Sequence, residues 1–411
     1  MKNLKNLNTD EKVCRGCKSI NLFVGIDLGQ LPIANELLQA STEEVDEFPL
    51  KLMVCADCGL GQVDEVTSTE RIFSDYRYLS STSTLFSRHA KEFAQREMPS
   101  IEKSDWVLEI ASNDGYLLQY FLEYGARVLG VEPAANVANL ALSKGIPTIN
   151  EFFTSRLAKQ IFEEFGHPKL IVANNVLAHV PDIIDFLNGL SILCGVNTKI
   201  SIENPSLSNI LIGKQFDTIY HEHYSYLTGT SVSVFANQVG LQLFSAENLS
   251  THGGSIRYWL RSANNQEIIH KSVNALIKLE EKQALFDPNS WTSFAVEIHH
   301  RLQGFRNWVA SSKEKGGTIC GFGAAAKAST VINSSNLQKD DISAIADSGS
   351  EKQGRFMPRY NIPIIKPAQL SSYEPTDIII FPWNIADEIE TSIHEIFHRP
   401  PRIWKSLPQQ F

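Results

Sequence analysis

Residues 216–228 read FDTIYHEHYSYLT and crowd three tyrosines (Tyr220, Tyr224, Tyr226), two histidines (His221, His223), Glu222 and Asp217 into one span with few aliphatic residues. Side chains of these types take and pass protons near neutral pH and fix one another's tautomers. The same types also gather where polar-tipped rings pack at a domain edge. The meaning of the segment therefore depends on what the rest of the chain sets beside it.

A second chemical signal lies near the start. Four of the six cysteines form two C-x-x-C pairs, Cys14 with Cys17 in CRGC and Cys55 with Cys58 in CADC. Two thiolates at that spacing turn around one cation, and two such knuckles supply the closed tetrahedral shell of a structural zinc site. The 37 residues between the pairs make a long loop, but a longer loop costs little extra entropy to close. A redox dithiol and two disulfides are the rival readings, and matched knuckles in a reducing compartment disfavour both. Four thiolates leave no position for water or substrate, so the metal is expected to fold its domain and not to catalyse. Cys194 and Cys320 sit in apolar surroundings and read as core.

The elements that must position these groups are of strand-turn-helix type. DWVLEIASNDGYLLQYFLEYGARVLGVEP predicts a buried strand from Trp106 to Ile110, a small polar turn, an amphipathic helix and a second strand ending at Glu132. That is the opening of a doubly wound sheet. Glu109 closes the first strand, and Glu132 lies 23 residues later, where an acid accepts both hydroxyls of a ribose. Ala111, Ser112, Asn113 and Asp114 stand before Gly115 in place of the three glycines of a dinucleotide fingerprint. Such a turn suits an adenosine ligand without a pyrophosphate, as in S-adenosylmethionine (SAM). KLIVANNVLAHVPDIIDFLNGL adds a strand that ends at Asn174 and Asn175, with His179 at the mouth of the following helix, on the edge where open parallel sheets bind ligands.

A second unit, GGTICGFGAAAKASTVINSS, carries Gly321, Gly323 and Ala326 in the looser G-x-G-x-x-A pattern, with Asp347 at the end of the next strand. Alone it suggests NAD; small residues also permit close strand-to-helix packing, and Lys327 at the helix start can meet a phosphate. The helical stretch between the units breaks at Asp287-Pro288, which predicts a domain boundary there.

Length and composition bound the rest. A chain of 411 residues, 43% hydrophobic and 20% charged, is expected to fold as two or three soluble domains. A formal charge of -9 argues against nucleic acid as partner. No leader core and no membrane-length apolar run is evident, which reads as a cytoplasmic protein without a membrane partner.

Taken in order, the pieces resemble the sugar C-methyltransferases, which methylate C3′ of nucleotide-linked 4-keto-deoxysugars. The likeness runs nearly end to end through the paired knuckles, SDYRYLSSTS, LEIASNDGYLL, NNVLAHVPD, FDTIYHEHYSYLT, THGGSIRYWL, GFGAAAKAST and KQGRFMP. It implies an α/β protein of three domains. Residues 1–75 would form a zinc-binding domain, 76–288 a SAM-binding Rossmann-like domain with the catalytic loop, and 289–411 a Rossmann-like domain that helps bind the nucleotide-sugar without nicotinamide.

Carried over position by position, the resemblance makes His223 the base, with Tyr220 and Glu222 beside it and His179 and Tyr76 or Tyr78 completing the substrate pocket. Glu222 or a neighbouring acceptor would hold the tautomer of His223, and His179 would donate to the enolate oxygen. Cofactor contacts would be Glu109, Ser112, Asn113, Asp114, Gly115, Glu132 and Asn174. Lys327, Lys352 and Arg355 would meet the diphosphate of a dTDP- or GDP-linked 4-keto-6-deoxyhexose. The rivals are an NAD-dependent nucleotide-sugar oxidoreductase and a zinc-bearing binding protein without catalysis. The individual sugar, the oligomeric state (a monomer is compatible with everything above) and the role of His221 beside His223 are left open.

Overall fold

The structure, a computed structural model, describes residues 12–64, 79–82 and 84–406. It opens on three antiparallel strands, β1 (Leu22–Pro32), β2 (Glu47–Cys55) and β3 (Gly61–Val63). Leu50, Leu52 and Val54 alternate inward along β2, which runs directly into the second knuckle.

The middle of the chain forms a doubly wound layer. Its elements in order are α1 (Thr84–Glu97), β4 (Trp106–Ile110), α2 (Leu118–Glu123), β5 (Arg127–Val131), α3 (Ala135–Ser143), β6 (Thr148–Ile149), α4 (Ser155–Phe165), β7 (Leu170–Asn174), α5 (Ile183–Leu193), β8 (Lys199–Pro205) and α6 (Leu207–Gly213). After residues 216–228, which include β9 (Ser225–Tyr226), come α7 (Gly229–Gln238) and a hairpin of β10 (Leu241–Leu249) and β11 (Ser255–Ser262). The strand order is β10-β11-β8-β7-β4-β5-β6, parallel from β8 to β6 and antiparallel in the hairpin. Side-chain caps start the helices: Thr154 accepts from the Leu157 amide, Asp182 from Asp185, and Thr228 and Ser231 form a reciprocal capping box. Strand order reverses at β4, whose neighbours are β5 and β7, so the crevice outside β4 and β7 is the place where this architecture receives a ligand.

The remainder comprises α8 (Lys271–Lys282), α9 (Pro288–Glu314), β12 (Ile319–Phe322), α10 (Ala326–Ser334), β13 (Ile345–Ala346), β14 (Ile364–Ile365), β15 (Asp377–Ile380), α11 (Ala386–Ile396) and β16 (Arg402–Lys405). Its five strands are all parallel in the order β14-β13-β12-β15-β16. Asp287 caps α9 and Pro288 takes its first turn, where a missing N–H costs nothing. The helix then packs on β1, and Trp291 and Phe294 share one hydrophobic core with Leu52 of β2, Phe216 and Tyr224 of the central segment, and Ile379 of β15. The three layers thus close around residues 216–228. Among the described residues no helix is long and apolar enough to cross a membrane.

Candidate active site

Residues 216–228 are held from all three layers. Ser225 and Tyr226 add to the first sheet as β9, antiparallel to β3, a pairing the sequence did not announce. Trp383 and Lys327 reach the segment from the C-terminal layer: Trp383 Nε1 donates to Asp217 Oδ2 at 2.8 Å, and Lys327 Nζ lies 4.0 Å from the same oxygen and over the Trp383 ring. The hydroxyl of Thr330 on α10 donates to the carbonyl of Ile219 at 3.2 Å.

His223 stands inside this frame with a defined tautomer. Its Nδ1 is 3.1 Å from the carbonyl oxygen of Thr218, which can only accept, so Nδ1 carries the proton and Nε2 the lone pair of the neutral ring. The Tyr220 hydroxyl lies 2.7 Å from Nε2 and donates to it. His179 packs edge-on against His223 with ring centroids 4.7 Å apart. Its Nδ1 donates to the carbonyl of Glu222 at 2.6 Å, and burial holds its pKa down to about 4. The ring is therefore neutral at physiological pH and presents Nε2 as an acceptor, where the expectation had been a donor.

Glu222 turns away from His223. Its Oε1 accepts from the backbone amide of Asn35 at 3.0 Å in the first layer, and burial pushes its pKa up. The group that holds the tautomer is the Thr218 carbonyl, which no side-chain pattern announces. His221 also faces the first layer, with Nε2 3.2 Å from the carbonyl of Phe48. Tyr224 and Tyr226 are core residues that seal the layers together. Tyr76 and Tyr78 lie outside the described residues.

The β4 turn combines backbone strain with unpaired buried polar atoms. Ala111, Asn113 and Gly115 alternate at φ of 56°, 51° and 78°, a left-handed conformation that costs an alanine about 1 kcal/mol and accumulates where a site requires it. At Gly115 a Cβ would also lie 2.2 Å from Ile146 Cδ1. Glu109 is 1% exposed, and neither of its carboxylate oxygens has a hydrogen-bond partner among the described residues. Burial, then Asp114 and Glu132, push its pKa well above the usual carboxylate range. Ser112 Oγ, Asp114 Oδ1 and Asn174 Oδ1 are unpaired in the same way. Glu132 accepts from the amides of Asn113 and Ala134, and Asn113 Oδ1 accepts from that of Ser80. Unpaired buried polar atoms are costly, and their concentration at the switch point fits a polar ligand such as SAM. Asn204, at the end of β8, belongs with them: it is 1% exposed with neither amide atom paired among the described residues. Its signal was available in SIENP, an apolar strand closing on polar residues like Asn174 and Asn175.

The four knuckle cysteines bring all their sulfurs within 4.8 Å of one another. Cys14 and Cys58 are 3.5 Å apart, Cys17 and Cys55 3.6 Å. Thiol–thiol hydrogen bonds push Cys14 and Cys58 up, with burial adding to it, and hold Cys55 down. One divalent cation bound by four thiolates resolves that competition, and the donor set is that of structural zinc.

The second glycine turn has another use than a nucleotide. A Cβ at Gly323 would lie 2.3 Å from the Pro382 ring. The Asp347 carboxylate accepts from the amides of Ala324 and Gly349 and from Lys352 Nζ, which also donates to the Ala324 carbonyl. Arg355 Nε donates to the Glu351 carbonyl. Asp347 and Lys352 thus stabilise their own turn, and of the three basic residues only Lys327 is brought to residues 216–228.

Three family models match in succession: a zinc binding domain over residues 14–73, a methyltransferase domain over 82–246 and a C-methyltransferase C-terminal domain over 250–408. The C-methyltransferase NovU of Streptomyces niveus is 30% identical over 400 residues, covering 96% of this chain and 95% of that protein. Solved structures similar to part of the chain include a SAM-dependent methyltransferase from Anabaena variabilis (11% identity, 48% of this chain and 100% of that one, TM-score 0.34). Another is a magnesium protoporphyrin IX methyltransferase from Synechocystis (15%, 47% and 92%, TM-score 0.34).

Proposed function

This chain belongs to the C-methyltransferase family, and we propose that it methylates C3′ of a nucleotide-linked 4-keto-6-deoxyhexose carried on dTDP or GDP, in the making of a branched deoxysugar. It is a SAM-dependent enzyme with a zinc-binding domain. The observation that carries the substrate reading is the His223–Thr218 hydrogen bond, because it commits Nδ1–H and leaves Nε2 as the proton acceptor.

A carbon bearing only hydrogen and carbon is no nucleophile, but a neighbouring ketone acidifies its proton by spreading the charge onto oxygen. A neutral imidazole suits that abstraction near neutral pH. In this reading His223 Nε2 takes the C3′ proton, displacing the Tyr220 hydroxyl from that nitrogen. The released hydroxyl is then a donor for the developing enolate oxygen at C4′. His179, neutral and fixed by the Glu222 carbonyl, packs against the His223 ring and holds that ring's orientation. Bound at the β4 crevice, SAM supplies the electrophilic methyl. Glu109, Ser112, Asn113, Asp114, Gly115, Glu132, Asn174 and Asn204 are the residues we assign to hold it, through their unpaired or turn-forming polar groups. Core packing of all three layers around residues 216–228 excludes water from the enolate. Lys327, partly exposed beside the buried Asp217, is the basic group best set to sense an anionic substrate.

The test is mass spectrometry of sugar nucleotides after incubation with SAM and a panel of thymidine- and guanosine-linked 4-keto-6-deoxyhexoses. A product heavier by one methylene identifies reaction and nucleotide together. Its absence across the panel contradicts the assigned substrate class.

A further inference from the structure

Arg15 stands between two knuckle cysteines, yet its side chain leaves the knuckle. Its guanidinium donates through Nη1 to the carbonyl of Tyr224 and through Nη2 to the carbonyl of Val63. Its amide donates to Gln62 Oε1 at 2.9 Å, and Gln62 Nε2 returns a hydrogen bond to the Val13 carbonyl at 3.2 Å. Backbone pairing supports the same junction: the Val63 amide donates to the Tyr224 carbonyl at 3.1 Å, and Gly61 and Gln62 pair with Tyr226 and Ser225. Tyr224 directly follows His223. The first knuckle, β3 and the residues after His223 are therefore one hydrogen-bonded unit, closed by a rigid planar fork of donors that spans two carbonyls, a fixed geometry that the single rotating ammonium of a lysine lacks.

We propose that Arg15 is a positioning residue that transmits the state of the zinc site to the loop bearing His223. With the four cysteines drawn around zinc, the chain direction at Arg15 is set and the guanidinium pins the Tyr224 carbonyl against β3. With the knuckle open, that anchor is lost and residues 219–227 keep the β3–β9 pairing, the Asn35 and Phe48 contacts and those from the other two layers, without the guanidinium clamp on Tyr224. The catalytic consequence rests on His223 acting as the base; the structural consequence does not.

The experiment is amide hydrogen exchange on the full chain, wild type against Arg15→Gln and Arg15→Lys, with zinc content measured on each sample. The expected result is zinc retained, SAM affinity within about twofold of wild type, and exchange over 219–227 about tenfold faster in Arg15→Gln, with Arg15→Lys between. The turnover number should fall in the same order while the KM for SAM holds. Wild-type exchange in a zinc-loaded Arg15→Gln protein would overturn the proposal. Should Arg15→Gln fail to fold or lose its zinc, zinc-loaded Arg15→Lys decides: faster exchange over 219–227 supports the proposal and unchanged exchange overturns it. Failure of the base assignment is separately visible, as turnover by His223→Asn, and would leave the exchange result standing.

Discussion

The Nδ1 of His223 lies 3.1 Å from the carbonyl oxygen of Thr218, five residues earlier in the same segment. This one backbone contact decides the ring's chemistry, because an imidazole that gives its Nδ1 proton to a carbonyl has only Nε2 with which to accept another. Asp217, immediately before Thr218, is itself pinned by Trp383, so the carbonyl is held from the C-terminal layer.

Tyr220 lies on the accepting side of that ring, 2.7 Å from Nε2. Replacing it with Phe keeps the tilted ring contact with His223, centroids 4.0 Å apart, and removes the hydroxyl. The turnover number should drop by about a hundredfold, the scale of one oxyanion donor, with SAM affinity unchanged by calorimetry. A loss confined to the KM for the sugar would assign Tyr220 to binding alone.

Burial holds His179 down to about 4, below the value near 6.5 of an unfolded chain. The unfolded state therefore binds the extra proton first, so His179 costs nothing above about pH 6.5, and stability falls as pH drops from there through 4. The integrated loss is about 3 kcal/mol. Urea midpoints at pH 7 and pH 5 should converge in His179→Gln relative to wild type; equal pH slopes in the two proteins would refute the assignment.

Glu109 presents the opposite case. A carboxyl with a raised pKa favours the folded state at low pH and opposes it as pH rises. Glu109→Gln should stabilise the protein without SAM by about 1 kcal/mol at pH 8 and weaken SAM binding about tenfold or more. Thermal melts with and without SAM measure both, and unchanged affinity would remove Glu109 from the cofactor site.

The zinc site should be structural. Cys55→Ser leaves three sulfur ligands, too few to close the tetrahedral shell, and the variant is expected to aggregate or unfold, as is wild type after chelation. A soluble, folded, zinc-free variant with a wild-type circular dichroism spectrum would contradict this.

What the residues revealed in advance follows from how local each signal is. Cys14, Cys17, Cys55 and Cys58 declare a metal shell by spacing alone, and Trp106–Ile110 declares a buried strand by its unbroken apolar run. The strand-end positions of Glu109 and Asn174 were legible because each follows an apolar run. Tyr220 and His179 were named beside His223 from their residue types, but the group that holds its Nδ1 was not. A carbonyl such as that of Thr218 has no side-chain signature, and Glu222, adjacent in sequence, turns to Asn35 across a junction between layers. The β3–β9 pairing escaped for the same reason, since Gln62 and Ser225 are far apart in the chain. Lys352 and Asp347 looked free for a nucleotide because their mutual contact forms only when the turn folds.

The central claim is that His223 removes the C3′ proton. It is tested most directly by solvent deuterium exchange into the 4-keto sugar nucleotide in heavy water, with S-adenosylhomocysteine in place of SAM so that no methyl is transferred. Wild type should incorporate one deuterium at C3′ well above the enzyme-free rate, and His223→Asn should fall to that background while still binding SAM. Undiminished exchange in the variant, or none with wild type on a sugar that it methylates, would contradict the account.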